Sequence, residues 1–403
     1  MVSSFVTVLL YLLLAYLLGE AFRKIFGLPR VIGQVGAGLI LSIGFLKSFF
    51  LTPESIDVIS FLANLGILLL FYYAGLETNL RAFTKNIKKS LLISLFNTTI
   101  PFIAGFLVMR FLFHFNMVIS LLISVALSVS AQSVSLDFLE ELKMVRSKLG
   151  NTIISAGAVD DVAELILVSI ILSLFQVAIS NLSLIGLFIG ILCFILILIV
   201  VRLWLIPFTL KFFDQEKSST ARFTWSLLIV LAIASLSEFF GLGTLIGAMI
   251  AGMIVRQTIY KDVTIPDWEE HDIARSIHII AFGFLIPLFF VWVGLNTDVG
   301  SFGVTEFFFV SVLIIIAIIG TVGGTTLAIM LRGGSFREGI VTGFGLTPKG
   351  DVELGIATLA LKAGIITPAI FTSLVLMALL TTIISPIIFK RMVLSPKSRK
   401  FIR

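Results

Sequence analysis

Charged residues are scarce in this chain. Only 13% of its 403 residues are Asp, Glu, Lys or Arg, whereas soluble domains carry about 25%. Hydrophobic residues make up 58%, and the mean hydropathy is +1.14. This composition excludes an ordinary soluble globular protein and indicates an integral membrane protein.

Cysteine and histidine are nearly absent as well. The one cysteine, Cys193, excludes an internal disulfide framework. None of the three histidines pairs with Cys193 or with another histidine at metal-ligand spacing. No nucleotide-binding glycine motif follows a strand pattern. We therefore predict no cofactor, no ATP drive and no enzymatic activity.

Runs of alternating polarity, which would predict a transmembrane barrel, are not seen. Apolar stretches of about 20 residues, long enough for a helix to cross the bilayer, recur along the chain instead. We predict an all-α polytopic membrane protein with 13 transmembrane helices. The predicted spans are 3–22, 29–46, 57–77, 87–112, 117–140, 147–176, 180–201, 222–239, 241–257, 273–296, 303–331, 336–361 and 367–391.

The basic residues are distributed unevenly between the two sides of the membrane. Of the 29 Lys and Arg residues, 25 fall in the joints after odd-numbered spans or in the C-terminal tail, or within three residues of them at the span ends. Cytoplasmic loops carry such an excess, so we predict a plasma-membrane protein with its N-terminus outside and its C-terminus in the cytoplasm. The net charge of +6 then reflects topology and contact with anionic lipids, and we predict no nucleic-acid binding.

Three short patterns recur in both halves of the chain in the same order. IGQVGAGLI (32–40) matches LIGAMIAGMIV (245–255), LLFYYAGLETNL (69–80) matches PLFFVWVGLNTDV (287–299), and LSVSAQSVSL (127–136) matches LTPKGDVEL (346–354). The matched spans are seven apart, and an odd separation reverses a helix in the membrane. The pattern predicts two inverted six-helix repeats joined by span seven, as in many secondary transporters.

The fifth and twelfth spans contain polar interruptions, SVSAQSVS and TPKGDVE. Irregular backbone at membrane depth is tolerated only where it is buried in protein or lines a water-filled cavity. We therefore predict that these two spans are crossed discontinuous helices and that the substrate binds beside them.

Two adjacent aspartates, Asp160 and Asp161, and Glu164 lie near the middle of span six. A charged carboxylate at that depth costs about 2.5–3.5 kcal/mol, so such residues usually mark ion or proton pathways. Three crowded carboxylates cannot all stay ionised. A carboxylate that holds either a proton or a hard cation, but not both, is an exchange site.

Ligands for an alkali cation are predicted at the same place. The broken helices supply free carbonyl oxygens, and Ser130, Gln132 and Ser133 supply side-chain oxygens. Lys349 and Asp351 are candidates to compensate the partial charges of the facing helix ends. Two structural alternatives stay open: an ion pair between one acid and Lys349, and a PKGD turn at the cytoplasmic mouth.

Six stretches carry a family resemblance: LPRVIGQVGAGLILS (28–42), LGILLLFYYAGLETNL (65–80), GAVDDV (157–162), LGTLIGAMIAGMIV (242–255), IPLFFVWVGLNTDV (286–299) and TPKGDVELGIA (347–357). They resemble the monovalent cation:proton antiporter-2 family, which includes sodium/proton exchangers and the membrane domains of Kef-type potassium efflux systems. The resemblance covers about residues 25–390.

The resemblance implies the sodium/proton antiporter fold, an elevator-like alternation and a homodimer. By its motif, Asp161 is the essential carboxylate for which Na⁺ or Li⁺ competes with the proton, and Asp160 is its neighbour in the Na⁺ site. The implied domains are two scaffold and dimerisation halves (1–86 and 222–302), two core transport halves (87–176 and 303–391), a linker helix (177–221) and a basic cytoplasmic tail (392–403).

Two departures from the family pattern bear on charge. The membrane-embedded lysine that commonly follows the PLFF helix is missing, and Thr321 stands in its place. Glu164 stands where a small residue is more typical. Whether exchange is electrogenic, with Lys349 in the missing role, or electroneutral therefore stays open.

Two other functions fit parts of this pattern. A K⁺/H⁺ exchanger or a K⁺ efflux path would keep the fold and change the ion. An intramembrane aspartyl protease would need two aspartates on facing spans, here Asp160 and Asp351. Their contexts, VD and PKGD, do not match the motifs of that class, so this reading is remote.

Overall fold

The structure is a computed structural model that describes residues 4–44, 46, 53–77, 80–157, 159–160, 163, 167, 184–205, 208, 219–259, 272–300 and 302–395. All regular elements in these residues are helical, as predicted. In chain order they are α1 (Ser4–Phe26), α2 (Arg30–Leu41), α3 (Pro53–Glu77), α4 (Leu80–Leu107), α5 (Met117–Ser128), α6 (Gln132–Glu141), α7 (Leu184–Val200), α8 (Ser219–Phe239), α9 (Thr244–Ile259), α10 (Asp272–Ile280), α11 (Ile286–Leu295), α12 (Val304–Leu331), α13 (Phe336–Leu346), α14 (Asp351–Lys362) and α15 (Pro368–Leu394).

Short π-helical turns continue α4, α7 and α10 at Val108–Leu112, Val201–Leu205 and Ala281–Leu285. Residues 148–157 and 159–160 are also helical, and we call them the aspartate segment.

Within the described residues, six helical stretches are long and apolar enough to span a membrane. They are Phe5–Phe26, Ser55–Leu76, Ser90–Leu112, Ala274–Leu295, Val304–Leu331 and Pro368–Leu394. Shorter apolar helices occur at several of the other predicted spans. The all-helical membrane class is confirmed, and the number of 13 spans stays a prediction.

Both predicted interruptions occur, and they touch. Residues 129–131 separate α5 from α6, and residues 347–350 separate α13 from α14. Pro348 has no N–H to continue a helix, and Gly350 disfavours one. The N–H of Ala131 donates to the carbonyl of Pro348 at 2.8 Å. The two discontinuous helices therefore meet at their interruptions.

By internal packing the chain forms two compact units. The first comprises Met1–Ile59, Leu80–Leu167 and Phe290–Arg403, and the second comprises Ser60–Asn79 and Val168–Phe289. The interruptions and Asp160 belong to the first unit.

In the first unit, α2 and α11 approach closely at a pair of glycines. A Cβ on Gly38 would lie 2.1 Å from the carbonyl oxygen of Val291. A Cβ on Gly294 would lie 2.2 Å from the carbonyl oxygen of Val35. Small residues at both positions let the two backbones meet, as is common between membrane helices.

The second unit contains the repeat-related version of this contact. There α3 and α9 approach at Gly75 and Gly252, where an added Cβ would lie 2.1 and 2.2 Å from a carbonyl oxygen of the facing helix. In the sequence repeat Gly38 corresponds to Gly252, and Gly75 corresponds to Gly294. The same helix contact is thus built twice, as inverted repeats require.

α12 packs against α4 in the first unit through two glycines one turn apart. A Cβ on Gly320 would lie 2.8 Å from the ring of Pro101, and a Cβ on Gly324 would lie 2.4 Å from the carbonyl oxygen of Phe96. This approach matters to Asp160 because α4 carries three of the four side chains that donate hydrogen bonds to it.

Replacing Gly324 by leucine is expected to destabilise the protein by about 3 kcal/mol or more, because the side chain would overlap the backbone of α4. The measurement is the thermal midpoint of the purified protein in detergent. Gly323→Leu is the matched control, since a Cβ there meets nothing within 4 Å. Equal midpoints for the two variants would contradict the close approach of α12 and α4.

Candidate cation and proton site

Asp160 is buried, with an exposed fraction of 1%, and it accepts four side-chain hydrogen bonds. The hydroxyls of Ser94 and Thr98 donate to its Oδ1 at 2.8 and 2.6 Å. The hydroxyl of Ser130 donates to Oδ2 at 3.2 Å, and the amide of Asn97 donates to the same oxygen. An ionised carboxylate only accepts hydrogen bonds, so these four donors suit the charged form of Asp160.

Three of these donors come from one face of α4. Positions 94, 97 and 98 are related as i, i+3 and i+4 and therefore lie side by side on the helix. The carbonyl oxygen of the Asn97 amide accepts a hydrogen bond from the hydroxyl of Thr325 at 3.2 Å. This bond to α12 orients the amide so that its NH₂ points to Asp160. The fourth donor, Ser130, lies in the first interruption.

Lys349 lies in the second interruption and is fully buried. Its ammonium donates to the carbonyl of Val129, the C-cap residue that directly follows α5. Its own carbonyl accepts a hydrogen bond from the hydroxyl of Thr382 on α15. The C-terminal end of a helix carries a partial negative charge. The ammonium therefore lies against the negative end of the half-helix α5.

The other predicted site residues lie at the starts of α14 and α6 or outside the described residues. Asp351 is the first residue of α14 and is half-buried. Gln132 is the first residue of α6, and its amide donates to the carbonyl of Ile154 in the aspartate segment at 3.2 Å. Ser133 lies in α6, but its side chain falls outside the description. Asp161 and Glu164 lie outside the described residues.

Sequence reasoning missed the three donors of α4. Their signal was visible, since SLFNT (94–98) places polar side chains at helical spacing inside an apolar span. Thr325 and Thr382 carry no such signal, because threonine in a helix often bonds its own backbone.

Among the buried polar side chains without a hydrogen-bond partner in the described part of the chain, two bear on the predicted site. The hydroxyl of Thr321, at the place of the missing lysine, is one of them. The other is Glu353 on α14, neither of whose carboxylate oxygens has a partner. The part of the chain that is described contains no group of three or more His, Cys, Asp or Glu that could hold a metal ion. Na⁺ would in any case be cargo, and Asp161 lies outside the described residues.

This arrangement defines a class of protein. A buried carboxylate beside two discontinuous helices that meet, in a chain built from inverted repeats, is the architecture of an ion-coupled secondary transporter. A family model described as sodium/hydrogen exchanger, transmembrane, matches residues 8–395. The chain belongs to the sodium/hydrogen exchanger family.

Individual relatives agree with this assignment. A Na⁺/H⁺ antiporter of Enterococcus hirae is 28% identical over 391 residues, which are 96% of this chain and 97% of that protein. The Na⁺/H⁺-K⁺ antiporter GerN of Bacillus cereus is 25% identical and covers 96% of this chain and 95% of its own length. The solved sodium proton antiporter MjNhaP1 of Methanocaldococcus jannaschii covers 99% of this chain and 100% of its own, with 16% identity and a TM-score of 0.66. That likeness shows a shared fold.

The comparisons support the family at this level only. They do not support the narrower prediction of the antiporter-2 family with its Kef-like membrane domain, and of the two branches antiporter-1 is the better supported. These relatives are transporters, in keeping with a protein that is not an enzyme.

Proposed function

We propose that the protein is a secondary active transporter that exchanges Na⁺ or Li⁺ for H⁺. The observation that carries the proposal is the buried Asp160, held by four donors next to two helix interruptions that touch. A fixed negative charge beside irregular backbone attracts a small cation and offers it oxygen ligands. Family membership and relatives named as Na⁺/H⁺ antiporters support the same activity.

In the proposed cycle Asp160 stays ionised and Asp161 is the carboxylate for which the cation and the proton compete. Cytosolic Na⁺ displaces the proton of Asp161, the loaded site turns to the other side, and external protons displace the Na⁺ there. Ser130, Gln132 and Ser133 are proposed as nearby oxygen donors, and Lys349 and Asp351 as supporting charges. Glu164 is proposed as a further charge at the same site.

The setting of this cycle is also part of the proposal. The protein is proposed to lie in the plasma membrane with its N-terminus outside and its C-terminus in the cytoplasm, since the basic joints lie on one side. It is proposed to act as a homodimer in contact with anionic lipids, in which the core halves 87–176 and 303–391 move against the scaffold halves in an elevator-like manner.

A K⁺/H⁺ exchanger is the second candidate. Two relatives are named for K⁺: GerN, and a K⁺/H⁺ antiporter of Saccharomyces cerevisiae that is 30% identical over 374 residues, 87% of this chain and 42% of that protein. Carbonyl and carboxylate oxygens also bind K⁺, so the distinction has to be measured.

Asp161→Asn is expected to abolish Na⁺-dependent proton flux, because the amide cannot release a proton to an arriving cation. Purified protein in liposomes is given jumps of Na⁺, Li⁺ and K⁺ at several pH values, with a dye for proton flux and electrical recording of net current. Asp57→Asn is the matched control, since Asp57 is exposed.

Each outcome is informative. Proton flux with Na⁺ or Li⁺ in the native chain supports the proposal, and proton flux with K⁺ alone supports the second candidate. Full Na⁺-dependent flux in Asp161→Asn would refute the assigned carboxylate. Absence of proton flux with every cation in the native chain would refute the exchange itself.

A further inference from the structure

Glu353 is a buried acid that the cycle above does not use. Its exposed fraction is 2%, and neither of its carboxylate oxygens has a hydrogen-bond partner in the described part of the chain. An ionised carboxylate buried without such partners costs several kcal/mol. A proton on Glu353 removes most of that cost, so the conformation described here suits the neutral acid.

Glu353 also lies close to the transport machinery. It is the third residue of α14, directly after the interruption 347–350, and α14 packs against α5 and α15. The charged groups that act on it are Lys349 and Asp351. α5 carries no titratable residue, and those of α15, Lys390 and Arg391, lie near the far end of that helix. The buried ammonium of Lys349 is therefore the positive charge available to an ionised Glu353.

We propose that Glu353 is a second proton-binding residue of the transport path. This inference rests on the proposed Na⁺/H⁺ exchange and extends it. When the site faces one side, the O–H bond of Glu353 breaks, the proton passes to water, and the charge of Lys349 compensates the carboxylate. On the other side Glu353 takes up a proton again.

A second proton-binding residue fixes the charge moved in each cycle, which the replacement of the usual lysine by Thr321 leaves open. One proton leaves Asp161 as Na⁺ binds, and a second leaves Glu353. Each cycle then carries about two protons against one Na⁺, and the exchange is electrogenic. With glutamine at position 353 only the proton of Asp161 remains, and the exchange becomes electroneutral.

The test is the Na⁺ gradient that just stops proton flux at a fixed pH difference. Full-length protein is placed in liposomes with equal K⁺ on both sides and valinomycin, so that the membrane potential is zero. For each pH unit, a cycle with two protons balances at a Na⁺ gradient of about a hundredfold, and a cycle with one proton balances at about tenfold. This null point depends on the coupling ratio alone, so partial misfolding of a variant does not move it.

For each pH unit we expect a Na⁺ gradient at the null point of about a hundredfold for the native chain and about tenfold for Glu353→Gln. The matched control is Glu338→Gln, which removes an acid that pairs at 3.5 Å with the largely exposed Lys148, and it should keep the native null point. Glu353→Asp retains a titrating carboxyl and should also keep it, which covers the case of an inactive glutamine variant.

Two results would overturn the proposal: a null point of about tenfold in the native chain, and equal null points for the native chain and Glu353→Gln. If the native chain shows no Na⁺-coupled proton flux, the exchange activity fails instead, and the two failures are thereby distinguished.

Discussion

Replacing Asp160 by asparagine is expected to weaken the apparent affinity for Na⁺ by about a hundredfold or more. Hydrogen bonds to a charged group contribute about 1.5–3 kcal/mol each, and 3 kcal/mol is about two decades in affinity. The variant loses the fixed charge, and the new NH₂ group points at donors such as Ser94, Thr98 or Asn97. The measurement is Na⁺-dependent proton flux in liposomes over a wide range of Na⁺ concentrations.

A graded series of variants tests whether the affinity for Na⁺ depends on the charge of Asp160 or on its four hydrogen-bond donors. Ser94→Ala removes one of the four donors and leaves the carboxylate, so we expect a weaker effect of about tenfold. Asp57→Asn changes an exposed acid and should leave the affinity unchanged. An Asp160→Asn protein with native affinity would rule out Asp160 as the charge that attracts the cation.

Replacing Lys349 by methionine is expected to lower the stability of the protein by about 1–3 kcal/mol. Methionine keeps much of the volume and removes the ammonium, so the carbonyl of Val129 and the negative end of α5 lose their positive partner. A buried acceptor that loses its hydrogen-bond partner costs about this amount, because no water replaces the lost donor. The thermal midpoint in detergent measures the effect.

Lys148→Met is the matched control for that experiment. The side chain of Lys148 is 63% exposed, and its ion pair with Glu338 measures 3.5 Å. Exposed ion pairs contribute about 1 kcal/mol or less, so a small shift is expected. If Lys349→Met and the native protein have the same thermal midpoint, the buried ammonium does not stabilise the interruption.

The helices and their interruptions could be predicted because their signals are local. An apolar run of the right length specifies a membrane helix, and Pro348 and Gly350 interrupt such a run wherever it lies. The inverted repeat could also be predicted, because a residue larger than glycine at these backbone contacts would separate the helices. Gly38 and Gly294 illustrate this point, because each lies against the backbone of the other's helix.

The partners of Asp160 were harder to predict, because they depend on which helices pack together. The acid and Ser94 are 66 positions apart, and Asn97 is 228 positions from Thr325. No pattern within one span gives such a pairing. Glu353 was missed for a related reason, since a lone acid beside PKGD looks like part of a polar turn until its burial is known.

The contacts between the two interruptions limit how the site changes the side that it faces. The Ala131 N–H and the Lys349 ammonium each donate to a carbonyl of the opposite interruption. Separating residues 129–131 from 347–350 would leave both donors without an acceptor. Hydrogen-bond donors without an acceptor in a poorly hydrated interior cost free energy. Opening the cavity by separating the half-helices is therefore unfavourable. We expect α5, α6, α13 and α14 to move together as one rigid body.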